Sequence, residues 1–302
     1  NDGDVIPTRY DELQLGKTTP LDFCKLNLIH KIPYDMLLNA SERLFFLGFA
    51  SMCNGNLVPT KLGYIAEKFP KITVEMIRMI LAGYQYDVSI EDLITIAAMV
   101  TIRWERFCGV PVFKYKPIIQ DEMIEYLRIW EEFVSTYESA LRKKSFVPLR
   151  KWLDTKKMKI SGFISISRLR DEIIAFMIKA KMNPYYMTKH SFRYTKHLCG
   201  LKRCIYEGYR HRIARRVKRA DGSYGGYQMV YKGMKMRIQT FVERKHLSSY
   251  LVVGSTMIKE TRPYSGVFSC YGKLISPLAN VIEDNQVRED ALVYPDIDYC
   301  IS

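Results

Sequence analysis

The sequence predicts a multidomain α+β protein in which a long helical region precedes a small β-barrel. The chain has 302 residues, more than one core usually organises, so we expect two or three domains. Apolar residues recur at helical spacing over much of the chain before residue 200, and the period falls to about two after residue 220. The composition, 48% hydrophobic and 26% charged, is typical of a globular protein.

Residues 1–35 are predicted to be an irregular lead-in, because proline interrupts them repeatedly. The next unit is predicted over 36–72. Here helices at 39–49 and 60–68 flank a tight turn at Asn54-Gly55 and a short strand, with Thr60 as the N-cap of the second helix. This order of elements is typical of a winged-helix unit.

A helical bundle is predicted over residues 73–200. The longest helix, at 121–141, carries an apolar stripe at alternating spacings of four and three, formed by Met123, Leu127, Trp130, Val134, Tyr137 and Leu141. Ser89 and Asp92 are predicted to cap the helix that begins at Leu93. Further helices are predicted at 73–81 and 167–181, and residues 142–159 are predicted to be a basic loop.

The region 201–282 concentrates positive charge. Residues 201–246 hold 13 Lys and Arg against three Asp and Glu, a net charge of +10 out of +14 for the whole chain. A helix is predicted over 201–219, with outward-facing guanidinium groups at Arg203, Arg210, Arg212, Arg215, Arg216 and Arg219. Short strands separated by glycine turns follow and are typical of a small barrel. Residues 283–302 form an acidic tail.

Charge of one sign with few carboxylates indicates a polyanion-binding surface, because cations that displace counterions from phosphates supply affinity independent of sequence. A solvated helix face that binds nothing is the alternative explanation. The charge alone allows nucleic acid, an anionic membrane or an acidic protein as partner. The 21 tyrosines favour nucleic acid, since aromatic rings stack on bases. No apolar run reaches the length of a membrane span.

A second basic patch is predicted around Trp152. Its cations are Arg150, Lys151, Lys156, Lys157 and Lys159. Trp152 has two interpretations: it grips a nucleic-acid strand, or it caps the helical bundle. Lys232 and Lys259, in the strand-rich region, are further candidates for phosphate contact.

The seven scattered cysteines indicate reduced thiols, and hence a reducing, cytoplasmic compartment. The spacing of His197, Cys199, Cys204 and His211 matches no common zinc site, and Cys204 falls on the predicted inner helix face. We therefore expect core thiols and no metal. No motif of nucleophilic or metal-assisted hydrolysis occurs, so no catalytic or cofactor site is predicted in this chain.

Four patches of sequence together resemble the C-terminal accessory region of DEAH-box (RHA-type) RNA helicases, in which a winged helix, a helical "ratchet" bundle and an OB-fold follow one another. They span about residues 15–285. The patches are Ile32-Pro33 with Ala40–Leu44 and Leu47-Gly48; Thr60–Gly63 with Pro70; Asp92–Val100; and Ile205–Tyr209 with Ala214–Arg216, Gly226-Tyr227 and Thr261–Tyr264.

One departure is that residues 120–123 read Gln-Asp-Glu-Met where the family has "GDHL". The divergence favours an origin in a large cytoplasmic DNA virus. The resemblance implies that the bundle and an OB-like barrel hold single-stranded RNA, with DNA as a variant substrate. It also implies that Thr261 and Arg262 hold phosphate, while Tyr264 stacks on a base or packs locally.

The motor of such a helicase is not encoded here, since the chain has no G-x-x-x-x-G-K-[ST], no DEAH tetrad and no Q-x-x-G-R-x-G-R run. Gly16-Lys17-Thr18 resembles the end of a phosphate loop, but Asp11 stands where the first glycine belongs. We expect a fragment that hydrolyses nothing alone. ATP or another NTP, with Mg²⁺, is expected only in RecA-like motor domains of the parent chain.

Two other functions stay open. One is a protein-interaction module that receives a helicase cofactor or viral transcription factor on the OB-like region. The other is a transcription protein that binds duplex DNA through the winged helix, although the helix at 60–68 offers just Lys61 and Lys68 as cations.

Overall fold

The computed structural model describes residues 34–53, 56–69, 71–110, 115, 121–186, 195–218, 224–229, 235–237, 250–254, 257–260, 271–274 and 278–281, and beyond Ile213 it describes the backbone alone. The described residues divide into two compact units, one ending at Phe69 and one running from residue 71 to 281.

The first unit is a helix, a β-hairpin and a second helix: α1 (Tyr34–Phe46), β1 (Ala50–Cys53), β2 (Asn56–Pro59) and α2 (Lys61–Ala66). The side chain of Thr60 caps α2, because its hydroxyl accepts from the Gly63 amide at 3.1 Å and donates to the Gly48 carbonyl at 2.7 Å. The predicted N-cap is confirmed. The first helix ends three residues earlier than predicted, because a turn at residues 47–49, with Gly48 at φ of 73°, precedes β1. The Asn54-Gly55 turn lies outside the described residues.

The second unit begins with a helical body. Its helices are α3 (Val74–Gln85), α4 (Ile90–Ile102), α5 (Trp104–Phe107), α6 (Glu122–Arg142), α7 (Val147–Lys156), α8 (Ile160–Lys179) and α9 (Thr195–Tyr209). The predicted cap of α4 is confirmed, since Ser89 Oγ accepts from the Asp92 amide at 3.3 Å. The basic stretch predicted as a loop contains helix α7, and α8 begins seven residues before its predicted start.

Helix α4 lies at the centre of this body. Its side chains are buried around nearly the whole circumference, including Leu93, Ile94, Ile96 and Met99, and α3, α6 and α8 pack against it. This explains why α4 is apolar throughout, whereas α6 and α9 have one apolar face each. No helix in the described part of the chain is long and apolar enough to cross a membrane.

The helix predicted over 201–219 is wrong beyond Tyr209. A short 3-10 turn, Arg210–Arg212, leads into strand β3 (Ile213–Lys218). β3 pairs on both sides, with Arg216 opposite Tyr227 and Ile213 opposite Val252. Backbone pairing with two neighbours, together with the β-branched Ile213 and Val217, outweighs the helical tendency of the arginines.

The sheet of the second unit continues with β4 (Tyr224–Met229), β5 (Lys235–Arg237), β6 (Tyr250–Gly254), β7 (Met257–Glu260), β8 (Tyr271–Leu274) and β9 (Leu278–Val281). In space the strands run β7-β8-β5-β4-β3-β6-β9. Among the described strands, β5 and β8 form the one parallel pair. The predicted change from helices to short strands is confirmed. Within these ranges no pairing joins β7 to β9, so closure into a barrel stays a prediction.

The contact between α3 and α9 gives a test of the packing. A Cβ atom added to Gly208 would lie 2.5 Å from the Glu75 carbonyl oxygen and 3.0 Å from Met79 Cβ. Alanine normally stabilises a helix interior by about 1 kcal/mol relative to glycine. Here we expect Gly208→Ala to lower the free energy of unfolding by about 1–3 kcal/mol, because two backbones must separate.

Urea unfolding followed by circular dichroism measures this change. Cys199→Ala, at an exposed position of the same helix, is the matched control and is expected to stay within about 0.5 kcal/mol of the parent protein. A Gly208→Ala protein more stable than the parent would contradict the packing.

Candidate nucleic-acid interface

The predicted binding arginines differ in their surroundings. Arg203 is exposed on α9, with its guanidinium 5.7 Å from the centre of the Tyr86 ring. Arg210 and Arg212 have side chains only 15% and 17% exposed. The prediction that all of them lie on one outward helix face is therefore wrong, because the helix ends before Arg210 and its last turns are packed against α3.

A buried carboxylate organises this junction. Glu207 is 1% exposed and accepts hydrogen bonds from Arg78 Nη2 at 2.6 Å and Tyr86 Oη at 3.0 Å. Arg210 also donates to Glu207. Charge-assisted bonds of this kind are stronger than neutral ones, and together they hold α3 to the end of α9.

A second carboxylate anchors the turn that follows α9. Glu75, also buried, lies 3.3 Å from both Arg212 Nη2 and His211 Nε2. Arg210 and Arg212 are thus placed to position the connection between α9 and β3. A partly buried cation that must give up a buried carboxylate to bind a phosphate gains little from the exchange.

The other predicted residues of the strand region are placed only in part. Arg215 lies opposite Gln228 and Arg216 opposite Tyr227 in the ladder between β3 and β4, and Lys259 lies opposite Gly272. The helical spacing that would align Arg215 and Arg216 with Arg203 does not hold on a strand. Arg219, Lys232, Thr261, Arg262 and Tyr264 lie outside the described residues.

Trp152 packs into the helical body. Its ring centre lies 5.9 Å from that of Phe163 and 6.2 Å from that of Phe133, and its indole Nε1 lies 3.4 Å from Glu132 Oε2. Lys156 Nζ is 3.6 Å from the same carboxylate oxygen. These contacts favour the interpretation that Trp152 caps the bundle.

Arg128 fixes the position of Glu132. Its guanidinium is bonded to Glu132 and to the buried Glu125, and reaches the Tyr115 hydroxyl at 3.3 Å. Burial alone would lower the pKa of Arg128, but hydrogen bonding and charge from Glu125, followed by the charge of Glu132, raise it above its usual value. The cation is permanent, and it orients the carboxylate that joins α6 to α7.

The described part of the chain has a second cationic surface, at the turn between α6 and α7. We call residues 137–151 the α6–α7 corner. Its exposed apolar side chains include Tyr137 (38%), Phe146 (45%) and Val147 (71%). Its exposed cations are Arg142, Lys143, Lys144, Arg150 and Lys151, and none of the five has an ion-pair partner among the described residues.

The sequence placed Arg150 and Lys151 in the basic patch around Trp152, but the apolar stripe of α6 gave no indication that its last members are exposed. Met123, Leu127 and Trp130 are buried as predicted, but Tyr137 and Leu141 are exposed, since the helix extends beyond the elements that cover its first turns. The signal was present in the run Arg142–Lys151, where cations stand on both sides of Phe146.

The thiols near α9 differ in environment. Cys204 is buried and Cys199 is exposed. Burial raises the pKa of the Cys204 thiol far above its ordinary value, with the charge of Glu207 acting in the same direction. Burial likewise raises the pKa of Cys108. Both are core thiols, as the sequence predicted for Cys204.

Comparison with known proteins places the chain near a viral helicase. Proteins with the name "Putative RNA Helicase B962L" from African swine fever virus isolates of South Africa, Namibia and Kenya are 25–26% identical to it over 223 residues. The match covers 62% of this chain and 23% of each relative, so the chain spans about a quarter of their length. No protein-family model matches it. The chain is thus distantly similar to this helicase.

The Glu207 junction predicts a specific loss of stability. Glu207→Gln removes the charge that three donors share, and we expect it to lower the free energy of unfolding by about 1.5–3 kcal/mol. Chemical denaturation measures this. Glu138→Gln, at an exposed site on α6, makes the same chemical change and should have almost no effect. Equal free energies of unfolding for the two variants would show that Glu207 does not stabilise the contact between α3 and α9.

The thiol environments predict selective alkylation. A raised pKa leaves less thiolate at a given pH, so Cys204 and Cys108 should resist iodoacetamide near pH 8, at which exposed Cys199 and Cys53 react. Peptide mass spectrometry of the folded protein gives the extent of labelling. Labelling should become equal in denaturant; equal labelling without denaturant would contradict the buried placement.

Proposed function

We propose that this chain is a nucleic-acid-binding part of an RNA helicase, which holds single-stranded RNA through phosphate contacts. Its similarity to a viral protein named as an RNA helicase supports the helicase context. The observation that carries the binding role is the group of five exposed cations at the α6–α7 corner, none of which is ion-paired among the described residues. The whole chain has a net charge of +14.

The proposed mechanism is electrostatic. Each phosphate neutralised by a Lys or Arg releases condensed counterions, so binding should tolerate any sequence and weaken as salt rises. RecA-like motor domains, proposed for the parent chain with NTP and Mg²⁺, would move the strand while this part retains it. The bound strand could also be DNA.

The proposed division of the chain follows its described elements. We assign the first unit as the winged helix, the helical body as the ratchet bundle, and the strands from β3 onward as an OB-like barrel. A helicase cofactor could bind that barrel. The winged helix is a weaker candidate for duplex DNA, because α2 has six residues and ends before Lys68.

Within this proposal the predicted cations have two roles. Phosphate contacts are proposed for Arg203, Arg215, Arg216, Arg219, Lys232, Lys259, Thr261 and Arg262. Tyr264 is proposed to stack on a base. Arg210 and Arg212, already paired with buried carboxylates, are proposed as positioning residues. Trp152 and Lys156 support the bundle beneath the α6–α7 corner.

Replacing Arg215 and Arg216 by alanine tests the proposal. We expect weaker binding of a single-stranded RNA and a smaller slope of log affinity against log salt, by roughly 0.7 for each phosphate that the variant no longer neutralises. Fluorescence anisotropy over a salt series measures both quantities.

The matched control is Arg106→Ala with Arg168→Ala, which removes the same charge from exposed sites on α5 and α8. Equal affinities and slopes for the Arg215/Arg216 variant and the parent protein at low salt would remove both residues from the interface. Absence of RNA binding by the parent protein would refute the proposed function.

A further inference from the structure

We propose that the α6–α7 corner is a base-stacking site for single-stranded RNA, with Phe146 and Tyr137 as the stacking surface and the surrounding cations as phosphate contacts. This inference rests on the proposed function and names a site that the predicted arginines do not include. It is argued from ring geometry, backbone rigidity and charge.

The exposed rings belong to an aromatic column that reaches into the core. Phe163 and Phe133 stack with centres 4.2 Å apart at 11°, and Phe133 stacks on Tyr137 at 5.9 Å and 22°. Phe146 lies at the end of the column, with its ring centre 6.4 Å from that of Tyr137 and its plane tilted by 55°. The buried members hold the exposed members in place, so a base could stack at little cost in side-chain entropy.

The backbone of the corner is equally fixed. Helix α6 ends in a Schellman turn, in which the Ser145 amide bonds to the Ala140 carbonyl at 3.0 Å and the Lys144 amide to the Leu141 carbonyl at 3.1 Å. Lys144 adopts the left-handed conformation this turn needs, with φ of 49°. Phe146 is the N-cap residue of α7, and its carbonyl accepts from the Arg150 amide at 3.0 Å. The corner is therefore preorganised.

Charge determines what kind of ligand fits these rings. Residues 137–151 contain five Lys and Arg and one carboxylate, Glu138, and the cations stand on both sides of Phe146 in the chain. A partner must therefore offer flat apolar faces and repeated negative charge. Single-stranded RNA offers both, because its bases are free to stack, whereas the bases of a duplex are covered by their neighbours.

Binding of the full chain to two labelled polyanions tests the site. One is a single-stranded oligoadenylate of about 12 nucleotides, within the length that single-strand-binding domains cover, and the other is inorganic polyphosphate, which has no bases. Phe146→Ala is expected to weaken oligoadenylate binding roughly tenfold, the equivalent of about 1.4 kcal/mol, and to leave polyphosphate binding unchanged. Phe146→Trp should retain RNA affinity, and Phe146→Leu should not.

The end of helix α8 provides a matched control for the lysines at the end of α6. Helix α8 ends in the same kind of turn as α6, with Lys181 at φ of 59° in place of Lys144, and both Lys179 and Lys181 are exposed. Lys143→Gln with Lys144→Gln should weaken binding of both ligands and reduce the salt slope. Lys179→Gln with Lys181→Gln, which removes the same charge from the same geometry, should have a much smaller effect.

Three results would overturn the inference. If the parent protein binds oligoadenylate and Phe146→Ala binds it equally well, the site fails while the proposed function stands. Labelled poly-glutamate serves as a third ligand: if Phe146→Ala loses affinity for it but not for RNA, the corner is a docking surface for acidic protein. If the parent protein binds no RNA, both proposals fail. Thermal unfolding by circular dichroism should show all variants folded, as exposed positions allow.

Discussion

The second unit depends on one buried carboxylate where the helical body meets the sheet. Glu207 is removed from solvent at the end of α9 and is shared by Arg78 and Tyr86 from the α3 side and by Arg210 from its own chain segment. A buried anion is costly unless it is fully paired. Each of these donors therefore has a defined position. Because Arg210 lies in the turn before β3, its bond to Glu207 also sets the direction in which the chain enters β3.

This constraint explains how positive charge is used in the molecule. A run of cations in the sequence gives no indication of which ones face buried carboxylates. Arg210 and Arg212 do, through Glu207 and Glu75, and they serve the fold. At the α6–α7 corner, Lys143 and Lys144 occupy a helix end beside exposed rings, without such carboxylates among the described residues. The same residue type thus stabilises one junction and remains available for a ligand at another surface.

Much of the fold was predictable because it follows from local rules. The spacing of apolar residues located α6, Ser89 located the start of α4, and Thr60 the start of α2. Three features were not predictable. The end of α9 at Tyr209 depends on pairing of β3 with distant strands, the exposure of Tyr137 depends on where neighbouring elements stop, and helix α7 was concealed by Pro148 and a high density of charge. Periodicity defines a helix face but not the extent of what covers it.

Photo-crosslinking of the full chain to a single-stranded RNA that contains 4-thiouridine, with peptides mapped by mass spectrometry, tests most directly the claim that the cations divide between structure and ligand. We expect adducts within residues 137–151, centred on Tyr137 and Phe146, and none at Arg210 or Arg212. Adducts concentrated at Arg210 and Arg212, with none in 137–151, would contradict that claim.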